Sequence, residues 1–399
     1  MDLPTVQWMR ELPKIELHAH LNGCIRETTL FELAKERGIQ LNEHHFSDEA
    51  LTEYDHSMYN SRPRSLQDCF EMFAEIATCV DDLPSLERIT REALQDFAEH
   101  HVAYLELRST PKQLLVKSGQ TARSDKRTYC TTILQCLQNF ESMEKSRYES
   151  ELLHCDNTTS LPRLPMICRF IVAIDRSHSV EQAWEHLDLA LSLRQEYGDL
   201  VVGIDLGGNP TKNHFNDFRD VFNKARQLGV KITLHCGEIP CNEQDHATEA
   251  AYLEAKSILD FGPDRVGHAL LLPPSLQQIL SNKNIPVECC PTSNVMTLEL
   301  AQHHSGSLLE GLKTHPQLAS WLESAHPLSI GTDDPGVFNT TGTKEILLVQ
   351  QAFKLEGKKL CEIVTGSCDQ AFCNAETKIL LKKRLVDRIE LFSAKLYRN

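Results

Sequence analysis

The motif His18-Ala19-His20 places two imidazoles at alternate positions of an apolar run, Lys14–Leu21. Alternate side chains of a β-strand share a face, so both histidines would point to the same side. Two neutral imidazoles that converge in this way suit a borderline-soft divalent metal such as zinc. Taken alone, the pair also fits ordinary polar positions of a strand.

Three other predicted strands end in residues with related chemistry. One strand contains His235 near its end and is followed by Glu238. A second ends at His268, and a third is followed by Asp333 and Asp334. Each of these residues has an ordinary alternative as a solvated carboxylate, a core histidine or a turn and helix cap. Their common position at strand ends is harder to explain by packing, and it favours a catalytic site.

The elements that would position these residues are eight short β-branched runs separated by longer amphipathic segments. The predicted strands are Lys14–Leu21, Ala103–Leu107, Cys168–Ile174, Val201–Leu206, Val230–Cys236, Arg265–His268, Ile285–Glu288 and Leu328–Gly331. Alternation of strands and helices predicts a parallel sheet, and eight strands predict a (β/α)8 TIM barrel with its site at the strands' C-terminal ends. We expect one domain over residues 1–399, with extra helices and loop insertions.

Two insertions are predicted. The polar segment 42–64 precedes a helical pattern through Leu66, Phe70, Phe73 and Ile76, and together they could form a lid over the barrel mouth. The polar segment 145–165 is predicted to be a surface loop.

Composition narrows the functional classes. The net charge of −15 argues against a broad nucleic-acid surface, which needs many cations against phosphates. We see no secretory signal and no apolar run that could span a bilayer. The 14 cysteines never form a Cys-x-x-Cys pair, which favours reduced thiols in the cytosol. We expect a cytoplasmic, monomeric protein that binds neither nucleic acid nor a membrane.

Five motifs in order along the chain resemble those of the adenosine/AMP deaminase family of the amidohydrolase superfamily. They are KIELHAHL at 14–21, VGIDLGG at 202–208, TLHCGE at 233–238, GHA at 267–269 and TDDP at 332–335. They span nearly the whole chain, so the resemblance is specific. It implies a zinc-dependent hydrolase that removes an amino group from a purine.

The resemblance also implies roles for individual residues. One zinc ion per chain would be held by His18, His20, His235 and Asp333, with a position left for water. Zinc lowers the pKa of such a water towards neutrality. His268 would orient the resulting hydroxide, and Glu238 would protonate the purine ring as a general acid. Asp334 and the backbone amide of Gly208 would bind other ring nitrogens, and His20 and Asp333 would also contact the reacting groups.

Departures from the adenosine deaminase motifs bear on the substrate. Asn22 stands where those enzymes carry an acidic residue that contacts the sugar, and Thr110 and Lys112 follow the second strand. A hydroxyl and a cation there suit a 5′-phosphate, although an exposed lysine after a turn is the simpler interpretation. The pattern resembles the branch that acts on AMP methylated on its exocyclic amine, with IMP and methylamine as products.

Two other hypotheses remain open at this point. One is ordinary adenosine deaminase, which performs the same chemistry on the free nucleoside. The other is a secreted growth factor-like relative or a catalytically dead binding protein. The complete predicted ligand set and the absence of a visible signal peptide count against this second hypothesis.

Overall fold

Eight parallel strands form a barrel in sequence order, β1 to β8, in the computed structural model. The structure describes residues 6–42, 44–46, 64–154, 162–242, 245 and 247–396. The strands β1 to β8 are Lys14–His20, Val102–Ser109, Ile167–Asp175, Val201–Gly207, Lys231–Cys236, Arg265–His268, Val287–Cys289 and Leu328–Ile330. This architecture confirms the predicted (β/α)8 TIM barrel.

The barrel closes between β1 and the residues that follow β8. Ala19 forms a parallel bridge with Asp333. The backbone N–H of His20 donates to the Asp333 carbonyl at 2.9 Å, and the Asp333 N–H donates to the His18 carbonyl at 2.9 Å. The closing hydrogen bonds therefore also bring a carboxylate next to the two histidines of β1.

Helices surround the strands and extend the fold. The helices α1 to α16 are Val6–Glu11, Glu27–Arg37, Leu66–Cys79, Leu83–Glu99, Lys126–His154, Val180–Tyr197, Phe215–Gln227, Glu249–Phe261, Pro274–Asn282, Pro291–Thr297, Leu308–Lys313, Leu318–Ser324, Pro335–Phe338, Gly342–Phe353, Gly357–Gln370 and Ala375–Leu396. Helix α7 shows why they form. Its residues Phe215, Phe218, Val221 and Phe222 are buried at helical spacing, so one stripe faces the barrel.

The observed strand bounds match the predicted ones to within two residues, and β7 shows a physical cause for the difference. The prediction began this strand at Ile285, but it begins at Val287. Pro286 has no N–H to donate to a ladder, although its carbonyl accepts from Val266 N–H at 2.9 Å. The apolar run therefore starts before the hydrogen-bonded strand does.

The prediction of a surface loop over residues 145–165 is wrong for its first part. Helix α5 continues to His154. Arg147 forms ion pairs with Glu144 at 3.0 Å and with Glu151 at 2.7 Å, three and four residues away on the helix. Such pairs support a polar, solvent-facing helix, which resembles a loop in composition alone. Residues 155–161 of the predicted loop lie outside the described residues.

The helical pattern from Leu66 is confirmed as α3, which begins with a capping box formed by Ser65 and Asp68. Most of the predicted insertion, residues 47–63, lies outside the described residues. The lid, the single domain over 1–399, the monomer and the cytoplasmic location stay predictions. Among the helices described, none is both long and apolar enough to cross a membrane.

Candidate active site

Three imidazoles and one carboxylate converge at the C-terminal end of the barrel. The Nε2 atom of His20 lies 3.3 Å from Nε2 of His18 and 3.2 Å from Nε2 of His235. Oδ1 of Asp333 lies 3.4 Å from Nε2 of His18 and 3.5 Å from Nε2 of His20. The structure therefore brings together all four residues that the sequence predicted as metal ligands.

Carboxylates behind two of these histidines fix which nitrogen faces the centre. Nδ1 of His18 lies 2.6 Å from Oε2 of Glu288, and Nδ1 of His235 lies 3.1 Å from Oδ1 of Asp205. A proton on each Nδ1 satisfies these contacts and leaves the Nε2 lone pairs directed inwards. Histidines that bind metals are oriented in this way.

Two buried arginines hold these carboxylates in their charged form. Arg108 lies 2.8 Å from Glu288 and 3.3 Å from Asp205, and Arg265 lies 2.5 Å from the other oxygen of Glu288. Burial alone would raise the pKa of Glu288, but the two guanidinium groups hold it well below its ordinary range. The charged carboxylates of Glu288 and Asp205 can therefore accept hydrogen bonds from the Nδ1–H groups of the two imidazoles.

Glu288, Asp205 and Arg108 had no predicted role. A signal was present, because each is a charged residue within or directly after a short apolar run that was predicted as a strand. A charge at such a position needs a buried partner. The partners are far apart in the sequence. The side chain of His18 in β1 contacts that of Glu288 in β7, which is 270 residues away.

Asp333 has its two oxygens in different surroundings. Ser293 Oγ donates a hydrogen bond to Oδ2 at 2.7 Å, while Oδ1 faces the histidines. Asp333 has a φ of 61°, and His268 has a φ of 62°. Non-glycine residues in this left-handed region are uncommon and are concentrated at functional sites.

Glu238 and His268 lie beside the four converging residues. Oε1 of Glu238 is 3.9 Å from Nε2 of His268, which is itself 3.8 Å from Oδ2 of Asp333. Burial raises the pKa of Glu238 and lowers that of His268 to about 3. Near neutral pH the imidazole is therefore neutral, and the carboxyl group is biased towards its protonated form.

Asp334 presents a buried oxygen that no hydrogen bond satisfies within the described part of the chain. This atom is Oδ1, and a methyl group on Gly23 would lie 1.8 Å from it. Burial and the charge of Asp333 raise the pKa of Asp334 well above its ordinary range. Glycine at position 23 therefore gives this carboxyl group the space it occupies.

Gly208 lies at the end of β4 with a φ of +86°. A Cβ at this position would approach Oδ1 of Asp175 to 2.6 Å, so both conformation and space require glycine. The contact of this backbone amide with the purine, which the resemblance implied, stays a prediction.

The predicted phosphate residues lie at the same end of the barrel. Asn22 is in the turn after β1 and lies near the Tyr129 hydroxyl, which is 2.7 Å from Ser109 Oγ at the end of β2. Thr110 follows directly and is partly buried. Lys112 is also partly buried, and desolvation lowers its pKa, although the charge of Asp175 opposes the shift.

The family of this chain follows from comparison with known proteins. The model of the adenosine deaminase family matches residues 13–390, so the chain belongs to that family. This confirms the predicted family and the prediction of a hydrolytic deaminase.

The most similar proteins include nucleotide deaminases. The chain is 33% identical over 386 residues to N6-mAMP deaminase of Arabidopsis thaliana, with 94% of this chain and 97% of that protein covered. Its fold matches Arabidopsis ADAL complexed with IMP with a TM-score of 0.75 and 31% identity, covering 97% and 99% of the two chains. An amidohydrolase from Burkholderia ambifaria with bound Zn shares the fold at 18% identity, with a TM-score of 0.73 and coverage of 100% and 97%.

Proposed function

We propose that this protein is a zinc-dependent deaminase of 6-aminopurine nucleotides that converts N6-methyl-AMP to IMP and methylamine. The observation that carries the proposal is the convergence of His18, His20, His235 and Asp333 beside a buried carboxyl group, Glu238. The names of its relatives support the nucleotide substrate.

The donor set fits zinc in both chemistry and spacing. Ligands about 2.0–2.1 Å from a tetrahedral zinc are separated by about 3.3–3.4 Å. Four of the six pairs of donor atoms in the site are separated by 3.2–3.5 Å. Inward lone pairs at these distances repel one another unless a cation lies between them. Zinc bound there lowers the pKa of a coordinated water and supplies a nucleophile at neutral pH.

The residues around this centre protonate and bind the purine. Glu238, biased towards its protonated form by burial, donates a proton to the purine ring nitrogen beside the carbon under attack. Asp334, which directly follows Asp333, would bind the nitrogen on the imidazole side of the purine through its carboxyl group. The N–H of Gly208, which follows β4, would bind the remaining pyrimidine nitrogen, as in the family that the chain resembles.

Adenosine deaminase is the alternative function, and two residues argue against it. The amide of Asn22 and the cation of Lys112 lie at the end of the barrel where the sugar and its phosphate would be bound. A carboxylate about 5 Å from a phosphate charge would cost on the order of 3 kcal/mol at an effective dielectric constant near 20. The neutral amide avoids this cost and can donate a hydrogen bond.

Asn22→Asp and Lys112→Ala are expected to reduce activity on the nucleotide much more than on the nucleoside. We expect each change to lower kcat/KM for N6-methyl-AMP by about ten- to a hundredfold, and that for N6-methyladenosine by less than about threefold. The lost contact exists only when phosphate is present. The measurement is kcat/KM for both substrates in the unchanged protein and in each variant.

Lys117→Ala is the matched control, because Lys117 is an exposed cation in the same segment after β2. It should leave both substrates unaffected. Equal losses on nucleotide and nucleoside in the first two variants would place Asn22 and Lys112 in the scaffold and contradict the assigned phosphate contacts.

A further inference from the structure

A chain of hydrogen bonds runs from the start of α12 to the imidazole of His268. Nδ1 of His315 accepts from the backbone N–H groups of Gln317 at 3.1 Å and Leu318 at 3.0 Å. A backbone N–H can only donate, so Nδ1 of His315 carries no proton. Burial lowers the pKa of His315 to about 4, so this imidazole is neutral and its single proton is on Nε2.

The direction of the next two hydrogen bonds follows from this first one. Nε2 of His315 lies 3.3 Å from Oδ1 of Asn294, and it must donate because it carries the proton. The amide oxygen of Asn294 is therefore the acceptor, and its Nδ2 group faces Nδ1 of His268 at 3.1 Å. An amide NH₂ can only donate, so Nδ1 of His268 is an acceptor.

We propose that Asn294 and His315 are positioning residues that fix the proton of His268 on Nε2, so that this imidazole acts as a hydrogen-bond donor in the reaction. Both side chains are buried, as is His268. No water is needed to orient the relay, because its first members are backbone groups.

In this tautomer the protonated nitrogen of His268 faces the centre of the site. Nε2 of His268 faces Oδ2 of Asp333 at 3.8 Å and Oε1 of Glu238 at 3.9 Å. An N–H directed into this space can donate to the oxygen that attacks the purine and stabilise its negative charge. A His268 with the opposite tautomer would present a lone pair and repel that oxygen. This reasoning rests on the proposed function, whereas the tautomer itself does not.

The direct test is the nitrogen NMR spectrum of the zinc-loaded protein labelled with ¹⁵N-histidine. Protonated and unprotonated imidazole nitrogens differ strongly in chemical shift, and the His268→Gln variant identifies the signals of His268. We expect a protonated Nε2 and an unprotonated Nδ1 in the unchanged protein. A proton on Nδ1 would overturn the proposal.

Two substitutions at the centre of the relay separate positioning from structural support. Asn294→Asp keeps the shape but offers only acceptors when ionised, so it should draw the His268 proton to Nδ1. We expect kcat to fall about a hundredfold, the usual effect of losing one donor to a developing oxyanion, with KM and zinc content nearly unchanged. Asn294→Leu removes both contacts, but Asp333 still favours the proton on Nε2, so kcat should fall less than about tenfold.

A purely structural role predicts the opposite order. Leucine would leave the polar groups of His315 and His268 unpaired, whereas aspartate would preserve the shape and the acceptor for His315. Equal or greater loss in Asn294→Leu, or an unchanged His268 tautomer in Asn294→Asp, would overturn the proposal. Failure of the protein to deaminate any purine, with the expected tautomer present, would contradict the proposed function and leave the relay intact.

Discussion

Glu238→Gln is expected to lower kcat by about a thousandfold while the protein retains its zinc. Acid catalysis commonly contributes about a hundredfold to ten-thousandfold, and glutamine keeps the shape of the side chain without its transferable proton. Glu238 lies 3.9 Å from His268 and does not belong to the cluster of three imidazoles and Asp333. Its loss should therefore affect proton donation and spare the metal.

The position of Glu238 follows from the turn after β5. Gly237 has a φ of 69°, which a residue with a side chain rarely adopts, and it directs the following residue away from the strand. The Glu238 side chain is 14% exposed, so the carboxyl group is largely shielded from water. This shielding raises its pKa above the ordinary value, which favours the protonated form that a general acid needs.

Zinc content and kcat should be measured together on the same preparations of this variant. Glu362→Gln is the matched control, since it makes the same change at an exposed position of α15. The control should retain full activity. Loss of zinc in proportion to loss of activity in Glu238→Gln would show that Glu238 is a ligand and that the assigned role is wrong.

His18→Ala is expected to lose most of the zinc and to reduce activity by more than about ten-thousandfold. His18 contributes one of four converging donor atoms, and its Nδ1 is held by Glu288 at 2.6 Å. A site with only three donors binds the ion more weakly, and no other group in the proposed mechanism supplies the nucleophile. A strong chelator should have the same effect on the unchanged protein, and added zinc should restore activity.

The matched control for this prediction is His303→Ala, which removes an exposed histidine. Elemental analysis should find about one zinc ion per chain in the unchanged protein and in this control. Full turnover by a preparation verified to be free of metal would contradict the zinc-dependent mechanism. Zinc retained in His18→Ala with activity lost would remove His18 from the ligand set.

The sequence was sufficient to predict the barrel and the end at which its polar residues gather, because both depend on local patterns. The choice of His18, His20, His235 and Asp333 as ligands came from the resemblance to the deaminase family. Alternation within β1 places His18 and His20 on one face, and parallel strands collect His235 and Asp333 at the same end. These rules act within one strand or between strands of known direction. They require no knowledge of how distant side chains pair.

Features that depend on distant pairing could not be predicted in the same way. Glu288 supports His18 across the barrel, and Tyr129 of α5 reaches Asn22 after β1. Only the closed barrel brings these residues into contact. The prediction of a loop at 145–154 is wrong for a different reason. The composition of this segment suits a loop, whereas the spacing of its charges supports a helix.

The central claim is tested most directly by the turnover of four purines by the zinc-loaded protein: N6-methyl-AMP, AMP, N6-methyladenosine and adenosine. We predict the highest kcat/KM for N6-methyl-AMP, with IMP and methylamine formed in equal amounts. Removing the phosphate should lower kcat/KM by at least about a hundredfold, because the contacts of Asn22 and Lys112 are lost. A higher kcat/KM for adenosine than for N6-methyl-AMP would contradict the proposed substrate.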